Sequence, residues 1–237
     1  METGISTSSQ SAASPAALKG ISWPRPKYIL FAFIGLMYAY VLWKNESFLL
    51  NPKDPEWPHI ESFKWWLLPH GLTAACALFL GPLQFSDRLR KRFAKAHRVI
   101  GRFYVAGVFI GAPLGFYIQY VEEQMGGTRN FTIAAAADAV LWIFSTVMAL
   151  MFILQGKVQQ HRQWMTRSFA SAIIFLEVRA IIGLTGWGRY AEIIVWCCVA
   201  AAIPLADFVL QWQDLHRTRA TPAKSSRFAH WAQVAVQ

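Results

Sequence analysis

Apolar stretches near 20 residues in length recur along this chain of 237 residues and constrain its fold more than any other feature. About 20 consecutive apolar residues form a helix long enough to cross the roughly 30 Å hydrocarbon core of a bilayer. The sequence therefore predicts an all-α, polytopic integral membrane protein whose bundle of six transmembrane helices occupies residues 28–212. The six predicted spans are Tyr28 to Trp43, Phe63 to Phe85, Val99 to Val121, Thr132 to Gln155, Arg167 to Trp187 and Tyr190 to Trp212.

Composition excludes several other classes of protein. Hydrophobic residues make up 55% of the chain and charged residues only 15%, whereas about a quarter of the residues of a soluble domain are charged. A secreted fold held by disulfides is excluded because Cys76, Cys197 and Cys198 all lie inside apolar runs. The sequence also lacks the phosphate-loop, serine-hydrolase and zinc-protease motifs, so it gives no support to those activities.

The distribution of basic residues predicts the orientation in the membrane. Lys and Arg accumulate in cytoplasmic loops, and most of the 23 basic residues fall on the segments that share a side with both termini. We therefore expect a disordered cytoplasmic tail at 1–27, a basic cytoplasmic tail at 213–237, and a basic loop at 88–98 beside anionic lipid headgroups. Because the basic groups are distributed as topology demands, we expect no nucleic-acid partner.

Small residues define two helix faces. Gly107, Gly111 and Gly115 recur every four residues in the third span, which is typical of close helix packing, within the bundle or with a partner membrane protein. The second span has a face made of His70, Ala74, Ala77 and Gly81. We interpret this face as a packing surface rather than as a cofactor crevice.

Four ionisable residues are predicted at a common depth in the outer half of the membrane: His70, Asp138, Glu177 and Arg179. Such residues are costly in hydrocarbon and usually face a partner or a wet cavity. We predict that Arg179 pairs with Asp138 and leave the partner of Glu177 open. A structural ion pair and a site that handles protons or a ligand are both consistent with this cluster, whereas Asp207 is expected to be solvated near the cytoplasmic end.

His97 and His161 are predicted at one level on the cytoplasmic side. Two imidazoles from adjacent helices could hold a haem iron between them, and imidazole with the thioether of Met165 could suit copper. The alternative is that each histidine only bonds a headgroup or a loop carbonyl. The basic residues that could neutralise haem propionates are Arg98, Arg102, Arg162 and Arg167.

Three ordered motifs carry a family resemblance. They are Leu80-Gly81-Pro82-Leu83-Gln84-Phe85, then His97-Arg98-Val99-Ile100-Gly101-Arg102 with Tyr104, then His161-Arg162-Gln163-Trp164-Met165-Thr166-Arg167-Ser168 with Arg179. Over about 70–187 the chain resembles the bacterial membrane proteins grouped as domain of unknown function 2306. The resemblance implies a helical bundle in the bacterial inner membrane and supplies no reaction.

A looser similarity, in arrangement only, links the chain to di-haem cytochromes of the b561 type. Those proteins set paired histidines on both sides of the membrane, whereas this sequence offers only His97 with His161 as a clear pair. A second site would need His70 together with His59 or a non-histidine ligand, which the sequence disfavours.

These features lead to a functional hypothesis with two alternatives. The first is a haem-associated or redox membrane protein with haem b between His97 and His161, and whether it is an enzyme stays open. The second is a non-enzymatic protein that binds or transports a proton or solute through His70, Asp138 and Arg179. Gly111-Ala112-Pro113 could break the third helix as in transporters, although no internal repeat supports transport. The third is an assembly subunit that docks a partner helix on the glycine stripe.

Overall fold

The structure is a computed structural model that describes residues 26–45, 51, 53–55 and 57–219. Most of the predicted cytoplasmic tails, at 1–27 and 213–237, therefore lies outside the described residues. Within those residues the chain forms helices and no strand. The helices are α1 (Pro26–Asn45), α2 (Trp57–Ile60), α3 (Lys64–Gln84), α4 (Asp87–Arg92), α5 (Ala94–Gln124), α6 (Arg129–Leu154), α7 (Val158–Ala172), α8 (Ile174–Thr185), a 3₁₀ turn (Gly188–Tyr190) and α9 (Ala191–Arg219).

Five of the helical segments are long and apolar enough to cross a membrane. They are α3, α5, α6, the segment that joins α7 to α8, and the segment that contains α9; α1 contributes a shorter apolar stretch at Tyr28–Lys44. The all-α membrane bundle predicted from hydropathy is therefore confirmed. α9 continues to Arg219, past the predicted end of its span at Trp212, because a helix extends into the polar interface that a hydropathy pattern does not register.

Local sequence explains where several helices begin and end. Ser86 and Thr128 precede α4 and α6, and each hydroxyl accepts a hydrogen bond of 3.3 Å from a backbone N–H of the first turn, which satisfies a donor that has no partner within the helix. α8 ends at Gly186, whose φ of 71° lies in the left-handed region that glycine adopts without steric cost.

The helix interruption falls at a different place from the one that the sequence predicts. α5 runs without a break through Pro113 over 31 residues, so the predicted break at Gly111-Ala112-Pro113 is wrong. Proline removes one hydrogen bond of a helix, and in this helix the loss does not interrupt the segment. The interruption lies instead at Ile173, between α7 and α8, within a membrane-spanning segment.

The glycine stripe of α5 packs against α3 of the same chain. A Cβ atom at Gly107 would lie 2.8 Å from the carbonyl oxygen of Thr73, and one at Gly115 would lie 2.8 Å from the His70 ring. This close approach confirms that the small-residue faces of α3 and α5 are packing surfaces. It also means that α3 occupies the stripe, which is therefore not a free surface for a partner helix as the sequence suggested.

The remaining helices complete a bundle around two apolar clusters. α6 packs against α5 and α7, α9 contacts α6, α7 and α8, and α1 lies against α8. Tyr40 of α1 reaches Gly183 of α8, where a Cβ atom would lie 2.7 Å from the Tyr40 hydroxyl. Large apolar side chains such as Leu36, Leu72 and Leu184 are about 70% exposed on the outside of the bundle, as expected for a surface that faces lipid.

Candidate functional site

A buried network of hydrogen bonds joins α5, α6 and α7. The hydroxyl of Tyr104 lies 2.8 Å from Ser168 Oγ, which lies 2.7 Å from Thr146 Oγ1. Thr146 donates to the carbonyl oxygen of Trp142 at 2.8 Å, and Trp142 Nε1 donates to the Tyr104 hydroxyl at 3.4 Å. We call these four residues the hydroxyl network. Because its members are buried, these bonds replace the ones that water would have made.

The hydroxyl network lies about two helical turns from both candidate histidines. His97 precedes Tyr104 by seven residues on α5, and His161 precedes Ser168 by seven residues on α7. Seven residues make about two helical turns, so each histidine shares a face with its network residue. Since Tyr104 and Ser168 are in contact, the two imidazoles face the same space, and their charges are close enough to interact.

The hydrogen bonds of the histidines differ. His161 Nδ1 lies 2.9 Å from the carbonyl oxygen of Ala149, and because a carbonyl only accepts, this nitrogen carries the proton and Nε2 keeps a lone pair. His97 Nδ1 is buried, with no hydrogen-bond partner among the residues described. The His97 carbonyl accepts a bond of 3.2 Å from Gln84 Nε2, which ties the end of α3 to the start of α5.

The predicted arginine partners separate into different environments. Arg167 is bound to Asp207 of α9 through Nε and Nη2, each 2.8 Å from the same carboxylate oxygen, so Asp207 is an ion-pair partner as well as a partly solvated group. Arg98 and Arg102 are exposed, and Arg162 is half-buried. Arg90, which no sequence pattern marks as a site residue, pairs with Asp87 at 2.6 Å, and its charge reaches His97.

Side chains alone form no metal centre in the part of the chain that the structure describes. No group of three or more His, Cys, Asp or Glu side chains meets there in a way that could hold an ion. Met165 is buried in the main apolar cluster, and it lies one turn beyond His161. A metal between His97 and His161 would therefore need further ligands from elsewhere.

The four ionisable residues predicted at a common depth differ in burial. His70 Nδ1 lies 2.9 Å from the carbonyl oxygen of Gly111, and the charge of Arg179, an exposed residue, acts on His70. Asp138 is only 5% exposed, and the charge of Glu177 acts on it. The predicted pairing of Arg179 with Asp138 stays a prediction.

His59 does not join His70 in a second paired-histidine site. Its Nε2 lies 3.6 Å from a carboxylate oxygen of Glu122, near the end of α5. Its ring packs edge-on against Phe63 at 5.6 Å between centroids.

Comparison with known proteins agrees with the helical architecture. No curated protein and no solved structure matches the chain. A family model described as "Predicted membrane protein (DUF2306)" matches residues 67–210, which is more than half of the chain and includes the hydroxyl network and both histidines. This membrane protein therefore belongs to the DUF2306 family.

Proposed function

We propose that this protein is a membrane redox protein that holds a haem between His97 and His161. The observation that carries the proposal is the register between helices: the Tyr104–Ser168 contact of 2.8 Å aligns α5 and α7. Two turns away, the same faces carry His97 and His161, at the end of the bundle where the basic residues of α4 and early α5 lie.

The donor set fits a haem better than a bare metal ion. A haem iron takes four nitrogen ligands from its macrocycle and needs only two from the protein, which matches two histidines without a third protein ligand. The bond from His161 Nδ1 to Ala149 leaves Nε2 as the ligating atom, an arrangement that orients metal-binding histidines in many proteins. A haem held at this place would supply a one-electron carrier.

The surrounding residues have separate roles in this proposal. The exposed side chains of Arg98 and Arg102 supply positive charge for propionates, whereas Arg167 is engaged by Asp207 and stabilises the contact between α7 and α9. The hydroxyl network positions both histidines and excludes solvent from the protein-facing side of the site.

A reduced-minus-oxidised visible spectrum of the detergent-purified protein, expressed with a haem supply, tests the proposal. We expect the signal of a six-coordinate b-type haem that is lost in both His97→Ala and His161→Ala. His59→Ala is the matched control, because His59 pairs with Glu122 away from this site, and it should keep the signal. A featureless spectrum from folded wild-type protein would exclude the haem.

A second function is favoured by a different observation, the bond of 2.9 Å between His70 Nδ1 and the Gly111 carbonyl oxygen on an imidazole that the charge of Arg179 also reaches. A cation beside a half-buried imidazole that is bonded to the Gly111 carbonyl could bind an anionic solute or take part in proton transfer. Uptake into proteoliposomes that depends on a pH gradient, and that His70→Ala abolishes, would support transport. Unchanged uptake in that variant would exclude this role for His70.

A further inference from the structure

Three buried oxygen atoms close to the helix interruption form no hydrogen bond with any residue that the structure describes. They are Oδ1 of Asp138, Oγ of Ser145 and Oγ of Ser171. All three residues are at least nine-tenths buried, with exposed fractions of 5%, 1% and 1%. Buried polar groups in native proteins nearly always have a partner, and where protein supplies none, ordered water usually does.

The register of α6 against α7 places these residues at successive levels of one region. Thr146 contacts Ser168 at 2.7 Å, and Ser171 lies about one turn beyond Ser168, towards Asp138. Asp138 and Ser145 are seven residues apart on α6 and share a face. The three oxygen atoms therefore follow the contact between α6 and α7 from the hydroxyl network towards the outer half of the bundle.

The helical segment has a small irregularity at the same level. Ser171 lies two residues before Ile173, the single residue that separates α7 from α8. Ile173 keeps right-handed helical dihedral angles, and its carbonyl oxygen accepts a bond of 2.9 Å from the backbone N–H of Glu177. The groups without partners at this level are therefore side-chain oxygen atoms.

We propose that Asp138, Ser145 and Ser171 line a hydrated site at the interruption between α7 and α8, and that Asp138 exchanges its proton with the water held there. Asp138 and Ser145 lie about 10 Å apart along α6, so the three oxygen atoms supply partners for a short row of buried water molecules rather than for a single one. Water at this site continues the line of hydrogen-bonding groups from the hydroxyl network to Asp138. The inference does not depend on a bound haem.

The charged surroundings of Asp138 suit exchange of a proton. A charge that acts on it is that of another carboxyl group, Glu177 of α8, and the charge of Glu177 also acts on Cys198 of α9. In the same half of the bundle, the charge of Arg179 acts on His70. Two neighbouring carboxyl groups in a buried place titrate as a pair and hold a proton between them more readily than two negative charges.

Infrared difference spectroscopy of the protein in lipid vesicles, between low and high pH, tests this proposal. We expect the carbonyl band of a protonated carboxyl group that Asp138→Asn removes and that shifts when H₂O is exchanged for D₂O. Ser145→Ala and Ser171→Ala should each shift the band, because each change alters the hydrogen bonding around that carboxyl group. Asp207→Asn is the matched control and should leave the band unchanged, since Asp207 is ion-paired and partly exposed.

Two results would overturn the proposal. A band that Asp138→Asn leaves intact would assign the proton to another group, and a band that is insensitive to D₂O would show a dry acid. If Asp138→Asn fails to fold, Asp138→Glu retains the carboxyl group and must move the band without abolishing its sensitivity to D₂O.

Discussion

Two polar regions lie on the same pair of helices, α6 and α7, and differ in whether their hydrogen bonds are satisfied. In the hydroxyl network, Thr146, Ser168 and Tyr104 bond one another at 2.7 and 2.8 Å. In the hydrated site, Ser145 precedes Thr146 by one residue on α6 and Ser171 lies about one turn beyond Ser168 on α7. Neither hydroxyl has a protein partner in the described structure. In the hydroxyl network, protein groups supply the hydrogen-bond partners, so the network can position other groups. In the hydrated site, the oxygen atoms need a partner that the described residues do not supply.

The contrast also separates the roles of threonine and serine on α6. Thr146 donates to the carbonyl oxygen of Trp142, four residues earlier, at 2.8 Å, which is the common way for a hydroxyl to be satisfied within a helix. Ser145, its neighbour in sequence, forms no such bond. A hydroxyl on α6 can therefore bond a backbone carbonyl oxygen of its own helix. Because Ser145 does not form such a bond, its partner is expected outside the helix.

The largest expected effect comes from removing the central side chain of the hydroxyl network. Tyr104 is completely buried, so Tyr104→Ala leaves a cavity and leaves Trp142 Nε1 without the partner it has in the wild-type protein. We expect a loss of about 3–5 kcal/mol in the free energy of unfolding. Tyr104→Phe keeps the ring and should lose only about 1–2 kcal/mol. Denaturant titration in mixed micelles measures both, and equal losses would show that the ring contributes no packing energy.

A second prediction concerns Gly81 of α3, which lies against Phe169 and Tyr104. A Cβ atom at Gly81 would lie 2.5 Å from two ring atoms of Phe169, the residue after Ser168. Gly81→Ala should therefore displace Phe169 and cost about 1–3 kcal/mol. In the same helix, Gly71 has no atom within 4 Å of such a Cβ, so Gly71→Ala should be neutral or stabilising by at most about 1 kcal/mol. Equal effects at the two positions would contradict the close contact.

Hydropathy and charge were sufficient to predict the helical membrane fold, because span length and loop charge depend only on residue types along the chain. The packing of α3 on α5 was also predictable, since Gly107, Gly111 and Gly115 fall on one face whatever the neighbouring helix. Rotation of the helices was not predictable. Depth alone suggests Asp138 as the partner of Arg179, but the charge of Arg179 also acts on His70, and hydropathy does not fix which face meets which neighbour.

The hydroxyl network was missed although a signal for it was present. Tyr104 and Ser168 each follow a candidate histidine by seven residues, and the identical spacing on two helices indicates a second level of contact between them. The interruption at Ile173 had no comparable signal, because the surrounding residues form a continuous apolar run. Pro113 drew the prediction to the wrong helix, since proline is the strongest local signal for a break.

A third prediction tests the satisfied region with a smaller change. Ser168→Ala removes a hydroxyl that contacts both Tyr104 and Thr146. Tyr104 keeps its longer contact with Trp142, and Thr146 keeps its bond to the Trp142 carbonyl. We therefore expect a loss of about 1–2 kcal/mol in the free energy of unfolding. If the same variant also weakens the visible haem signal, the network positions His97 and His161; an unchanged signal would show that the network acts on stability alone.

The smallest expected effect is the most informative about the comparison, because its sign distinguishes a wet site from a dry one. A hydroxyl that is buried without any partner costs about 1–3 kcal/mol, so Ser145→Ala and Ser171→Ala would each stabilise a dry site by roughly that amount. Removing a hydroxyl that is bonded to water changes the free energy of unfolding little, so we expect changes within about 0.5 kcal/mol for both variants. The same denaturant titration, with Ser168→Ala alongside, measures the difference. If both substitutions raise the free energy of unfolding, Ser145 and Ser171 lie in a dry interior and Asp138 has no water beside it. If both leave the free energy of unfolding nearly unchanged while Ser168→Ala lowers it, the hydrated site contains water and the hydroxyl network is held by direct protein contacts.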